Sequence, residues 1–212
     1  DPTISGYKQE FLRHLKSYEN SSDEQLRQNL AHFLNKIIPV AEQVNINLAI
    51  HPDDPPFPVL GLPRIFFFIY DMVWLQKENP SPNNGIAFCA GSFSSRKDNN
   101  LIEMAQKFGH RFHFVHLRNT QVKDDGSFFE SGHIEGGVNM SQLIKVLVAE
   151  MHKRKNSGRA DFRIPMRPDH GIKLMNDFNL KSNPGYPFIG RLKGLSEIVG
   201  IEESTANFNT LL

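Results

Sequence analysis

Four apolar runs, each ending abruptly in a polar cluster, constrain this chain more than any other feature. Residues 46–50 (INLAI) lead into HPDDPP (51–56), and residues 86–92 (IAFCAGS) close on Cys89, Gly91 and Ser92. Residues 111–117 (RFHFVHL) run into Arg118 and Asn119, and residues 161–166 (DFRIPM) into RPDHG. Between the runs, apolar residues recur at spacings of three and four, as in helices that bury one face. The longest such segment, 23–45, aligns Leu26, Leu30, Phe33, Leu34, Ile37, Ile38, Ala41 and Val44, with Ser22 or Asp23 as N-cap. Pro39 lies inside it and predicts a kink or a break. Further helices are predicted at 7–18, at 98–108 with Gly109 as the stop, at 141–153 and around 190–199. Residues 65–75 (IFFFIYDMVWL) fit a buried strand or a buried helix equally well. Strands written as apolar runs and separated by helices predict a parallel sheet covered on both faces and built from βαβ units.

Composition narrows the function classes. The 212 residues are 39% hydrophobic and 22% charged, an ordinary globular balance. Lys+Arg 24 against Asp+Glu 23 leaves a formal charge of +1, which gives no electrostatic reason to expect nucleic acid or an anionic membrane as partner. The single cysteine excludes an internal disulfide and suits a reducing compartment. No apolar stretch reaches the roughly 18 residues of a membrane span, and the N-terminus has no signal-peptide pattern. We expect residues 1–200 to belong to one domain and 201–212 to form a loose tail.

In parallel α/β folds, function gathers at the carboxyl ends of the strands. Each of the four strands delivers a metal-competent side chain near that edge: His51, Cys89, His116 and Asp169. Imidazole, thiolate, imidazole and carboxylate together make a divalent-metal shell. Each has a plainer reading as well. Cys89 could be a small buried hydrophobe and His116 a histidine satisfied by backbone, since His113 sits in the same strand without evident purpose. Asp53 and Asp54 could simply shape the turn before Pro55 and Pro56, and Asp169 the turn at Gly171. His170 adjoins Asp169, and Tyr186 sits in a rigid loop framed by Pro184, Gly185 and Pro187, as an acid–base group or as an aromatic plug. Arg64, Arg118, Arg167 and Lys193 could bind a carboxylate or be solvated charges. Phosphate loops, dinucleotide fingerprints, nucleophile elbows and CxxC pairs are absent.

HPDDPPFPVLGLPRI, the CAGS segment, FVHLRN, GSFFESGHIEGGVNM, IPMRPDHG and NPGYPFIGRLKGL, in that order, resemble the mannonate dehydratase family from about residue 23 to about residue 200. The resemblance implies a (β/α)8 TIM barrel of the xylose-isomerase-like kind. It implies removal of water from D-mannonate to give 2-keto-3-deoxy-D-gluconate in hexuronate breakdown, with Mn²⁺ as the usual metal and Fe²⁺ as the alternative. It carries metal-ligand roles onto His51, Cys89, His116 and Asp169, catalytic roles onto His170 and Tyr186, and substrate contacts onto Arg118 and His133. It also implies a cytoplasmic homo-oligomer, a dimer. Family chains are about twice this long, so we expect the C-terminal half of a barrel, with an N-terminal half missing. Two stretches depart from the pattern: RIFFFIYDMVWL is more apolar than expected, and Gly137 and Asn139 stand where acidic residues are typical. Three rival readings remain: a sugar isomerase or epimerase on the same barrel, a non-catalytic sugar-acid-binding module, and a nucleic-acid end-processing barrel, for which the charge balance gives little support.

Overall fold

The structure is a computed structural model that describes residues 5–209. Two helices, α1 (Tyr7–Lys16) and α2 (Asp23–Gln43), precede strand β1 (Leu48–Ile50). Helix α3 (Ile69–Glu78) leads to β2 (Asn84–Cys89), a helical turn α4 (Ala90–Ser94) and α5 (Leu101–Phe108). Then come β3 (Phe112–His116), a hairpin of β4 (Thr120–Val122) and β5 (Phe128–Glu130), α6 (Met140–Asn156), β6 (Met166–Arg167) and α7 (Phe188–Asn209). The four strands β1, β2, β3 and β6 form one sheet in that order, every neighbour parallel.

Side chains alternate across a strand, so each strand feeds two surfaces. Ile86, Phe88, Phe112 and Val115 join one buried cluster with Leu34 and Ile38 of α2, Met72 and Leu75 of α3, Met104 and Phe108 of α5, and Leu143 and Leu147 of α6. Phe88 stacks on Phe112 at 4.5 Å between ring centroids and on Phe93 at 5.2 Å. Each such phenylalanine contributes about 1.5–3 kcal/mol by leaving water. The opposite surface carries Ala49, Ala87, Cys89, Phe114 and His116. Ala49 there is exposed and Phe114 only half-buried, so among the described residues the sheet is covered on one face, not on both as expected. A bulge between β2 and β3 inserts His113, whose ring lies against Gly85 and whose Nε2 reaches the Pro82 carbonyl at 2.9 Å. A Cβ at Gly85 would collide with that ring, so this histidine does have a structural purpose.

Helix starts follow their caps. The side chains of Ser22, Asn100 and Asn139 accept from the amides of Gln25, Glu103 and Gln142. Asn139, one of the departures from the family pattern, is therefore the cap of α6. Helix α2 runs on past Pro39 without a break. The ambiguous 65–75 run resolves into an extended entry followed by a helix, because the Asp71 carboxylate accepts from the amides of Phe67 and Phe68 and starts α3. Strand β2 stops at Cys89, and the chain turns at once into α4. Helix α5 ends at Phe108 with Gly109 as its C-cap, as expected, but Gly109 is in the right-handed region at φ −50° and leads into a 3₁₀ turn, Gly109–Arg111. Of the 161–166 run only Met166 pairs as strand, together with Arg167 just beyond it. Helix α7 continues beyond 200 with Thr205 buried, its hydroxyl donating to the Ile201 carbonyl at 2.8 Å, so residues 201–209 are not a loose tail. Residues 210–212 of that expected tail lie outside the described residues.

Candidate active site

Register alone brings three of the expected metal ligands together. Cys89 pairs directly with His116 across β2 and β3, and His51 follows β1 on the other side of β2. The donor atoms of His51, Cys89 and His116 all lie within 4.8 Å of one another. That span is about twice a metal–donor bond of ~2.1–2.3 Å, so one cation can touch all three. His51 Nδ1 is 2.7 Å from the Pro52 carbonyl. A carbonyl can only accept, so Nδ1 carries the proton and Nε2 presents its lone pair toward the cluster. His51 Nε2 is 3.2 Å from His116 Nδ1. Cys89 is fully buried. Two imidazoles and a thiolate converging on one point fit a divalent transition metal.

Asp169 borders this triad without joining it. Its Oδ2 is 3.5 Å from His116 Nδ1, while its Oδ1 accepts from Arg167 at 2.5 Å. Its backbone is left-handed at φ 63°, and Arg191 Nε donates to its carbonyl at 2.8 Å.

A second cluster begins where the first ends. His170 Nε2 is 4.0 Å from Asp169 Oδ2 and 3.0 Å from the Tyr186 hydroxyl. Two features of the NPGY loop set this contact. Gly171 N donates to the Gly185 carbonyl and Tyr186 N to the Asn183 carbonyl, both at 3.0 Å. Gly185 has φ 78°, a conformation that favours glycine, and a Cβ there would press on His170 Nδ1 at 3.1 Å. The Arg191 guanidinium lies 5.2 Å from the centre of the Tyr186 ring.

Behind His170 stands a run of charges. Glu130 Oε1 is 2.8 Å from His170 Nδ1. Arg118, only 4% exposed, donates Nε and Nη2 to Glu130 at 2.7–3.0 Å and Nη1 to Asp54. Burial pushes the Glu130 carboxyl up, but bonds from His170 and Arg118 outweigh it and hold it below the usual carboxylate range. Burial likewise works to lower Arg118, and Glu130 with Asp54 reverses this, leaving its pKa raised. Gly91 makes room for this arginine, since a Cβ there would strike its side chain.

The remaining expected residues are placed differently. His133 is buried, with Nε2 3.0 Å from the Pro168 carbonyl, and its ring fills the space where Gly194 lacks a Cβ. It braces the 168–170 turn. Arg64 pairs with Asp53, Arg167 with Asp169, and Lys193 with Glu135 and Glu197. Asp53 shapes its turn by accepting from the amides of Ile65 and Phe66, while Asp54 turns to Arg118 instead. HPDDPP thus delivers a cluster histidine, a loop anchor and an ion-pair partner at positions 51, 53 and 54. Sequence reasoning did not single out Glu130 or Arg191. Asp125–Gly126 between TQV and FFE is a hairpin signal that could have found Glu130.

A family model described as D-mannonate dehydratase (UxuA) matches residues 3–211. The chain belongs to the D-mannonate dehydratase family. It is 47% identical over 193 residues to the mannonate dehydratase of Chromohalobacter salexigens, covering 91% of this chain and 49% of that protein. It is 44% identical over 209 residues to the mannonate dehydratase of Rhizobium meliloti, covering 97% of this chain and 52% of that protein. Among solved structures, the mannonate dehydratase of Streptococcus suis serotype 2 superposes with a TM-score of 0.80 at 31% identity, over 90% of this chain and 52% of that one. The resemblance read from the motifs is therefore a family membership. This member of the D-mannonate dehydratase family spans about half the length of the relatives it matches. The expectation that it corresponds to their C-terminal half finds no support in these matches.

Proposed function

We propose that this chain carries the site at which D-mannonate loses water to give 2-keto-3-deoxy-D-gluconate, a hydro-lyase reaction. The observation that supports it is the contiguity of a His51–Cys89–His116 donor triad with a His170–Tyr186 acid–base pair, joined through Asp169. Dehydration needs the proton next to the substrate carboxylate removed and the neighbouring hydroxyl protonated as it leaves. His170 and Tyr186 are the catalytic residues for those transfers. His51, Cys89, His116 and Asp169 would hold the metal, with Asp169 Oδ2 already facing His116 Nδ1 at 3.5 Å while Oδ1 keeps Arg167. A bound divalent cation supplies the Lewis acidity that spreads the charge developing on the substrate carboxylate. We assign Mn²⁺ first, because a carboxylate-bearing substrate favours a hard ion, and Fe²⁺ second, because the thiolate is softer.

Arg118 and His133 act one layer behind the substrate, a reading their burial supports. The parallel four-stranded sheet with donors at its carboxyl edge is consistent with an arc of a (β/α)8 barrel of the xylose-isomerase-like kind. Among the described residues no helix is long and apolar enough to cross a membrane. We assign the protein to the cytoplasm, for which the unpaired thiol of Cys89 speaks, and to a homodimer, for which the exposed Phe188, Leu192 and Leu195 of α7 speak.

The test is dehydration of D-mannonate with and without added Mn²⁺, in the wild type and in Tyr186→Phe. We expect metal-dependent formation of the 2-keto product, lowered about 10²- to 10⁴-fold by the substitution with metal content unchanged. Near-normal turnover in Tyr186→Phe would remove the tyrosine from the chemistry. Epimer or ketose products in place of the 2-keto-3-deoxy acid would shift the reading to an isomerase.

A further inference from the structure

Glu130 stands outside the donor triad, yet as an acceptor-only contact it bears on which nitrogen of His170 is free. It is the last residue of β5, in a two-stranded hairpin separate from the main sheet. Its Oε1 sits 2.8 Å from His170 Nδ1, and its other bonds all come from Arg118. A carboxylate held ionised can only accept. Arg118 keeps it ionised, because the guanidinium is buried, permanently charged and also bound to Asp54.

We propose that Glu130 is a positioning residue: backed by Arg118 and Asp54, it fixes the His170 proton on Nδ1 and so leaves Nε2 as an acceptor facing the Tyr186 hydroxyl. The direction of the second bond then follows. In the neutral imidazole Nε2 then has only a lone pair to offer, so the Tyr186 O–H donates across the 3.0 Å contact. With the ring neutral, the pair presents a hydrogen-bond acceptor at His170 Nε2 and a donor at the Tyr186 hydroxyl. The same logic of a carboxylate setting an imidazole tautomer operates in catalytic triads and at metal-bound histidines. This inference rests on the reading of His170 and Tyr186 as the acid–base pair, and its test is independent of turnover.

The test is imidazole tautomer assignment by long-range proton–nitrogen NMR on the full ¹⁵N-histidine-labelled chain, in mildly alkaline buffer with zinc as the diamagnetic divalent ion. Nine histidines must be resolved, and His170→Gln identifies the signal of interest. In the wild type we expect Nδ1 of His170 to be pyrrole-like and Nε2 pyridine-like. In Glu130→Gln the amide oxygen is claimed by the buried Arg118, so the NH₂ faces His170 and the two nitrogen shifts exchange places. His113 and His133 serve as controls, since their Nε2 atoms bond the carbonyls of Pro82 and Pro168 and must stay protonated in both proteins. A protonated Nε2 on His170 in the wild type overturns the proposal. So does an unchanged His170 in Glu130→Gln with both controls intact. If the controls move, the variant has lost its fold and the wild-type tautomer alone decides. Failure of D-mannonate dehydration would remove the functional reading and leave this tautomer result standing.

Discussion

Replacing Arg118 by methionine tests whether the charge run behind His170 holds the site together. The substitution keeps length and apolar stem but deletes the guanidinium that is shared by Glu130 and Asp54. Removing one partner of a fully buried ion pair costs about 3–5 kcal/mol, because the other charge is left uncompensated. Here the arginine is buried, but the Glu130 and Asp54 side chains are 25% and 30% exposed, so water reaches the stranded carboxylates and the cost falls to about 2–3 kcal/mol. For a chain of this size each kcal/mol shifts Tm by about 2–4 °C, which gives a drop of about 4–12 °C at neutral pH. Acidification supplies a second, sign-specific check. In the wild type Glu130 is held below the usual carboxylate range, so its stabilisation is present above the unfolded pKa and fades as pH falls through the folded one. In the variant, protonation of Glu130 relieves a carboxylate that has lost the guanidinium. The gap in Tm between the two proteins must therefore narrow as pH falls below about 4. Thermal unfolding followed by circular dichroism reads both effects. A Tm change within about 1 °C, or a gap that widens on acidification, refutes the reasoning.

Two further perturbations probe the scaffold. Asp177 is buried beside the start of α7 and accepts from the amides of Leu174, Ile189 and Gly190. Burial raises its carboxyl, the backbone donors outweigh burial, and its pKa ends below normal. Asp177→Asn should thus lower Tm at neutral pH, with the difference shrinking as the wild type is acidified through the carboxylate range. A pH-independent difference would contradict this. Pro39 is exposed within α2 and removes one helical hydrogen bond, so Pro39→Ala should raise Tm by a few degrees, from about 1–2 kcal/mol once the looser unfolded chain is counted. A lower Tm would mean the helix is bent to fit the proline.

What was legible in the sequence follows from the range of the interactions involved. Strand ends and helix faces are local patterns, so His51, Cys89 and His116 could be placed at one edge from alternation of apolar runs and helices alone. Their convergence depends on the register Cys89↔His116, which the common carboxyl edge of parallel strands makes almost automatic. Glu130 was hidden because its role comes from a short hairpin folding over the sheet edge, and three-residue strands carry little periodicity. The second half of α7 was read as tail because its surface is polar, yet one buried threonine and the helical backbone carry it on. The single covered face of the sheet was not legible, since Gly85, Ala87 and Cys89 are small enough to be buried by neighbours without a helix above them.

The most direct test of the metal centre is cobalt substitution of the 212-residue chain, followed by absorption spectroscopy. Cys89 is the only cysteine, so any thiolate-to-cobalt charge-transfer band in the near ultraviolet reports this one residue. The expected result is one equivalent of bound Co²⁺ with that band present, and its loss in Cys89→Ser. Cobalt bound without the band, or no stoichiometric binding at all, would contradict a metal centre built on His51, Cys89 and His116.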